Sequence, residues 1–188
     1  MCADIGFDMQ ENTANNGKFV ELSFPLWYYK NPPIEWWVVI MEHLVFMQEA
    51  LKEAAKAASL GEVPIGAVVV RDGQVIARAH NMREIWKDPT AHAEIIAIRE
   101  ASRILGGWRL TGCKLYVTLE PCPMCAGAIL LARMDEIIFG AKEPKFGAAG
   151  SLVNLIETDQ FNHRPHLSSG IMADECGMIL KEFFKTRR

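Results

Sequence analysis

No stretch of this 188-residue chain approaches the roughly 20 consecutive apolar residues that span a bilayer. The strongest candidate, Ile34 to Met41, has eight residues and includes Glu35. No basic segment with a small-residue cleavage site precedes it, so neither a membrane span nor a secretory signal is expected. The five cysteines (Cys2, Cys113, Cys122, Cys125, Cys176) are an odd number without the even spacing of a disulfide framework. Positive charge is not in excess either. Residues 1–40 hold two lysines and five acids, and the other 148 residues hold 18 of each sign. A nucleic-acid partner would therefore be held by a local patch, since the whole molecule supplies no positive field. Internal repeats and low-complexity tracts are lacking as well. Half of the side chains are apolar and 23% are charged, which excludes wholesale disorder. The expectation is one globular domain in the cytoplasm.

Composition divides the chain between residues 40 and 41. The first forty residues carry three of the five tryptophans and two of the three tyrosines, interrupted by Pro25 and by Pro32-Pro33. No helical or alternating period is sustained from Trp27 to Trp37. Two readings stay open for this N-terminal extension: Met41 is the true start, or the extension is a tail that docks its aromatics. From Met41 the periods become regular. Leu44, Met47, Leu51, Ala54, Ala55 and Ala58 mark a helical stripe that Gly61 ends. Ile65–Val70, the turn Asp72-Gly73 and Val75–Ala79 read as a hairpin. Asn81–Pro89 reads as loop, and Thr90 as the N-cap of a helix carrying Ile95, Ile96 and Ile98. Then follow a strand (Lys114–Leu119), a helix (Pro123–Arg133), a strand (Glu136–Phe139), a loop (141–150), an apolar segment (Leu152–Ile156) and a last helix (Asp174–Lys185). Strands separated by helices, with one hairpin, imply an α/β sandwich with a mixed sheet.

Chemistry concentrates in two short segments, T-A-H-A-E (90–94) and P-C-P-M-C (121–125). Cys122 and Cys125 are one helical turn apart, at a helix N-terminus that favours thiolates. With His92 they make three zinc ligands. Cys113 lies at the far end of its strand, roughly 20 Å away at ~3.3 Å per residue, and Cys176 has no metal-like spacing. Water is therefore expected in the fourth position, which marks a catalytic zinc and not a structural one. Residues i and i+2 on a regular helix diverge, so His92 and Glu94 must flank an ion lying off the helix mouth. There His92 binds the ion, and Glu94 takes a proton from its water and hands it to a ring nitrogen.

H-A-E followed by P-C-x-x-C resembles the signature of the zinc-dependent cytidine deaminase superfamily. Residues 44–188 are similar along their length to the bacterial tRNA-specific adenosine deaminases. The similarity is carried by E-V-P-I-G-A-V (62–68), D-P-T-A-H-A-E (88–94), L-Y-V-T-L-E-P-C-P-M-C-A-G-A (115–128), F-G-A-K-E-P-K-F-G-A-A-G-S-L (139–152), N-H-R (162–164), A-D-E-C (173–176) and F-F-K-T-R-R (183–188). The resemblance implies a three-layer α/β/α sandwich with a mixed five-stranded sheet over residues 41–188. It also implies a homodimer with one Zn2+ per subunit, bound by His92, Cys122 and Cys125. The implied reaction is hydrolysis of wobble adenosine to inosine in a tRNA anticodon stem-loop, with an arginine tRNA as substrate and Glu94 protonating N1. DNA and membrane partners are not expected.

By the same resemblance Asn81 contacts the base, and Ala93, Lys145, Asn162, His163, Arg187 and Arg188 belong to the substrate-binding set. Lys142 and Lys185 would extend its phosphate-facing patch, and one of Phe183 and Phe184 would stack on a base. Glu143 stands where relatives have aspartate and Phe146 where a small or polar residue is common, so contacts from that loop are expected to differ. Two other functions fit parts of the pattern: a zinc deaminase of free guanine, cytosine or a pterin-like ring, and a non-catalytic RNA-binding subunit. The basic C-terminal helix argues against the first, and Glu94 argues against the second.

Overall fold

A computed structural model describes residues 34–187, with side chains from Val38 onward. The side chains of Trp27 to Trp37 and the whole of Arg188 lie outside what is described. The elements are α1 (Ile34–Ser59), β1 (Gly66–Arg71), β2 (Gln74–His80), α2 (Arg83–Trp86), α3 (Ala93–Leu105), β3 (Cys113–Leu119), α4 (Pro123–Ala132), β4 (Glu136–Ala141), β5 (His166–Ser169) and α5 (Ala173–Lys185). Among the described residues no helix is long and apolar enough to cross a membrane.

The strands form one sheet in the order β2-β1-β3-β4-β5. β1 runs antiparallel to β2 and β3, whereas β3, β4 and β5 are parallel. The sheet is mixed and five-stranded, as expected. Its strand alternation separates two apolar layers. Ala67, Val69, Leu115, Val117, Ile137 and Phe139 pack with Ala97, Ala101, Ala126 and Ile129 of α3 and α4. Val68, Val70, Tyr116 and Ile138 pack on the opposite face with Phe46, Met47 and Ala50 of α1 and Cys176 of α5. A side chain at Gly66 would meet the backbone of Ala50 and Ala54, and one at Gly140 would meet Cys176. Those two glycines let α1 and α5 lie directly on the sheet.

Several local expectations are corrected. Helix α1 begins at Ile34 and passes through residue 41 without a break. Val38, Val39, Ile40 and Met41 are four consecutive apolar residues, all more than a third exposed, so this stretch shows no period. The buried stripe is His43, Phe46, Met47, Ala50, Glu53, Ala54 and Ala57, while Ala55 is exposed. Two polar members hid it: His43 Nδ1 bonds Tyr116 Oη at 3.0 Å, and Glu53 Oε2 meets His80 Nδ1 at 2.9 Å. The fifth strand is His166–Ser169, to which the sequence patterns assigned no element, and the apolar segment 152–156 is not a strand. That segment turns back instead, burying Ile156 and exposing Leu152 and Val153.

Candidate metal centre

Two helix N-termini converge above the sheet. His92, not Thr90, is the N-cap of α3 (φ −78°, ψ 150°), and Cys122 is the N-cap of α4 (φ −74°, ψ 171°). Thr90 is instead drawn into a turn, where its amide and its hydroxyl each donate to Asp88 Oδ1 at 2.7 Å. The N-cap position resolves the i, i+2 difficulty: His92 sits in extended backbone, outside the helical turn that carries Glu94. Its side chain caps nothing and turns to the thiols. The capping role passes to Asn81, whose Oδ1 accepts the Ala93 N–H at 2.9 Å. Asn81→Ala is expected to cost about 1–2 kcal/mol through that lost cap. Thermal unfolding checks it, and a variant as stable as the parent would contradict it.

His92 Nδ1 lies 3.6 Å from Cys125 Sγ and 3.8 Å from Cys122 Sγ. The three ligand atoms all fall within 4.8 Å of one another, and no other group of at least three His, Cys, Asp or Glu side chains does so among the described residues. An ion with Zn–N near 2.05 Å, Zn–S near 2.3 Å and tetrahedral angles needs N and S roughly 3.6 Å apart. The donor set and its spacing fit zinc. The hydrogen bond from Cys125, helped by His92 and opposed by burial, brings the Cys122 thiol down to about 4. Its Cys125 partner is pushed up by the same bond and by burial. The His92 imidazole is raised by its bond to Cys122 against the effect of burial, with Glu94 adding to the rise. The lowering at Cys122 favours the thiolate, the form a metal requires.

Glu94 lies in the first turn of α3 and is 3% exposed. Burial raises its carboxyl above the usual range, with its own backbone amide and His92 opposing. Its Oε2 has no hydrogen-bond partner, the one such buried side-chain atom among the described residues. An unsatisfied buried acceptor of this kind costs about 1–3 kcal/mol, and here it is beside the ligand cluster. The arrangement suits a proton carrier whose partner arrives with substrate and water.

The other expected site residues divide. Asn81 and Ala93 are at the centre, although the Ala93 side chain is core and only its backbone serves the site. Lys145 is exposed, on a loop whose Ala148 amide bonds Pro121 O at 2.8 Å, next to Cys122. Asn162 and His163 are elsewhere: Asn162 Oδ1 accepts Arg133 Nη1 at 2.7 Å, and the His163 ring bonds Met134 O at 2.7 Å. Both anchors follow the C-terminal end of α4, roughly 18 Å along the helix from Cys122 at 1.5 Å per residue. Arg187 donates to Gly61 O at 2.6 Å and lies over the Phe183 ring at 4.1 Å, while Phe184 is exposed. Glu62 and Glu120 were missed. Both are buried: Glu62 accepts the Ile85 amide of α2, and Glu120 accepts amides of the 143–151 loop. Position was the only sequence signal for Glu120, directly before the Pro-Cys that opens α4.

Comparison with known proteins places this geometry in context. The MafB19-like deaminase family model matches residues 41–188. The tRNA-specific adenosine deaminase of Bacillus subtilis (strain 168) is 54% identical over 144 residues, which cover 77% of this chain and 89% of that protein. A solved structure from work on A-to-I editing by tRNA:A34 deaminases superposes with a TM-score of 0.70 at 50% identity, over 72% of this chain and 98% of the other. The guanine deaminase of Bacillus subtilis is 43% identical over 52% of this chain and 63% of its own, with a TM-score of 0.50. With its three-ligand metal cluster, its buried Glu94 and this degree of identity, the chain belongs to the family of tRNA-specific adenosine deaminases.

Proposed function

We propose that this chain deaminates adenosine to inosine at the wobble position of a tRNA anticodon, with an arginine tRNA as substrate, working as a cytoplasmic homodimer. The observation that carries the reading is the partnerless Glu94 Oε2 beside the His92–Cys122–Cys125 cluster. Zinc held by these three side chains would supply an acidified water and balance the thiolate charge. Glu94 would take one proton from the attacking water and deliver it to adenine N1, then take the water's second proton and deliver it to the amine, which leaves as ammonia. Asn81 fixes the first turn of α3, and with it the carboxylate, through the Ala93 amide. Both helix N-termini direct their positive ends at the site where negative charge is held. Reaching C6 requires the base to leave its stack, which costs least in a single-stranded loop.

Free guanine is the competing substrate, since one relative is a guanine deaminase. That likeness covers half of this chain, against nearly three quarters for the tRNA:A34 deaminase. The test is an assay of anticodon stem-loops with adenosine at the wobble position, run against free bases and nucleosides. Inosine in the stem-loop is the expected product. Turnover of guanine or cytosine alone would contradict the proposal.

A further inference from the structure

The mechanism leaves the buried carboxylate of Glu120 unused. Glu120 is 3% exposed and lies between the end of β3 and the metal-binding turn of α4. It does not join the ligand cluster. Its Oε1 accepts the amides of Ala149 (3.0 Å) and Ser151 (2.9 Å), and its Oε2 accepts the Glu143 amide (3.0 Å) and the Ser151 hydroxyl. These donors come from both ends of the segment 143–151. Burial pushes the carboxyl up, but the bonds from Ser151, Glu143 and Ala149 together outweigh it and hold it below its ordinary value.

The middle of the same segment is tied to the same place. Ala148 N bonds Pro121 O, and Gly147 N bonds Glu143 O, each at 2.8 Å. A side chain at Gly147 would run into the Glu120 carboxylate, so the loop backbone lies directly on it. The loop's outer face carries Lys145 and Phe146, the latter 64% exposed. A cation beside an exposed ring is the chemistry that binds a phosphate and stacks a base in single-stranded RNA.

We propose that Glu120 is a positioning residue: it fixes the 143–151 loop as one rim of the substrate cleft, in register with Cys122 two residues away. The inference rests on the tRNA reading above. Glu120 acts through the loop and touches neither substrate nor metal.

Glu120→Gln keeps the size but turns an NH2 group toward amide donors. It is expected to raise KM for the anticodon stem-loop tenfold or more, with kcat within threefold and zinc still one per chain. Hydrogen exchange at the Glu143, Ala149 and Ser151 amides should accelerate. Ser151→Ala, which removes one hydroxyl donor but leaves the Glu120 carboxylate and its three backbone amides in place, should shift KM the same way by a smaller factor and covers the case in which Glu120→Gln fails to fold. A residue needed only for folding would reduce the active fraction, lowering apparent kcat and zinc content while KM stayed put; that outcome overturns the proposal. So does unchanged exchange at the three amides, or faster exchange with KM within twofold of the parent. Parent protein that turns over a free base and not the stem-loop refutes the substrate reading by itself, while the exchange measurement still decides whether Glu120 holds the loop.

Discussion

Glu94→Gln is expected to lower kcat for stem-loop deamination by roughly 10²–10⁴-fold, the range that a positioned proton carrier supplies. The amide has nearly the shape of the carboxylate, so α3 and the packing beneath it should be undisturbed. What changes is the Oε2 position. In the parent it is a buried acceptor without a partner, and its proton affinity is raised by burial. Glutamine cannot take up a proton there and return it. Because Glu94 lies outside the His92–Cys122–Cys125 cluster, zinc content should remain at one per chain. Single-turnover kinetics on the stem-loop, paired with metal analysis of the same sample, reads both halves. Activity within a few-fold of the parent would remove Glu94 from the chemistry, and lost zinc would place it in the metal site instead.

Chelation of the metal should destabilise the parent protein, and Cys122→Ala should mimic and abolish that response. A ligand present at 1,000 times its Kd stabilises the folded state by about 4 kcal/mol, which is roughly 10 °C in Tm for a chain of this size. The stabilisation is local in origin. Cys122 and Cys125 open α4 and His92 opens α3, so the ion would join two helices that the sequence separates by thirty residues. Thermal unfolding with and without a chelator measures the difference. Parent protein that ignores the chelator, or a Cys122→Ala variant that still responds to it, would contradict the assignment of the ligands.

What was legible in the sequence was whatever a single short window determines. Asp72 and Gly73 both adopt positive φ (51° and 71°), as a two-residue hairpin turn requires, and the strands on either side pair as read. The ligand set was legible because metal chemistry needs particular atoms at particular spacings. Long-range accounting was not. His43 and Glu53 are polar by type, yet they lie on the buried face of α1 because Tyr116 and His80, distant in sequence, pair with them. The edge strand β5 is four residues long, and its apolar residue Leu167 is only partly buried, so it gives no alternating signal. Neither the cap that Asn81 gives Ala93 nor the amides that Glu120 accepts could be read, because backbone amides twelve or more residues away leave no mark in a local pattern.

The central claim is a metal held by three side chains, with its remaining coordination position open to water. Zinc-edge X-ray absorption on the purified protein tests it directly. One zinc per chain is expected, with two sulfur ligands from Cys122 and Cys125, one imidazole nitrogen from His92 and one oxygen that exchanges with solvent. A protein without stoichiometric zinc, or a zinc enclosed by a fourth side chain, would contradict it.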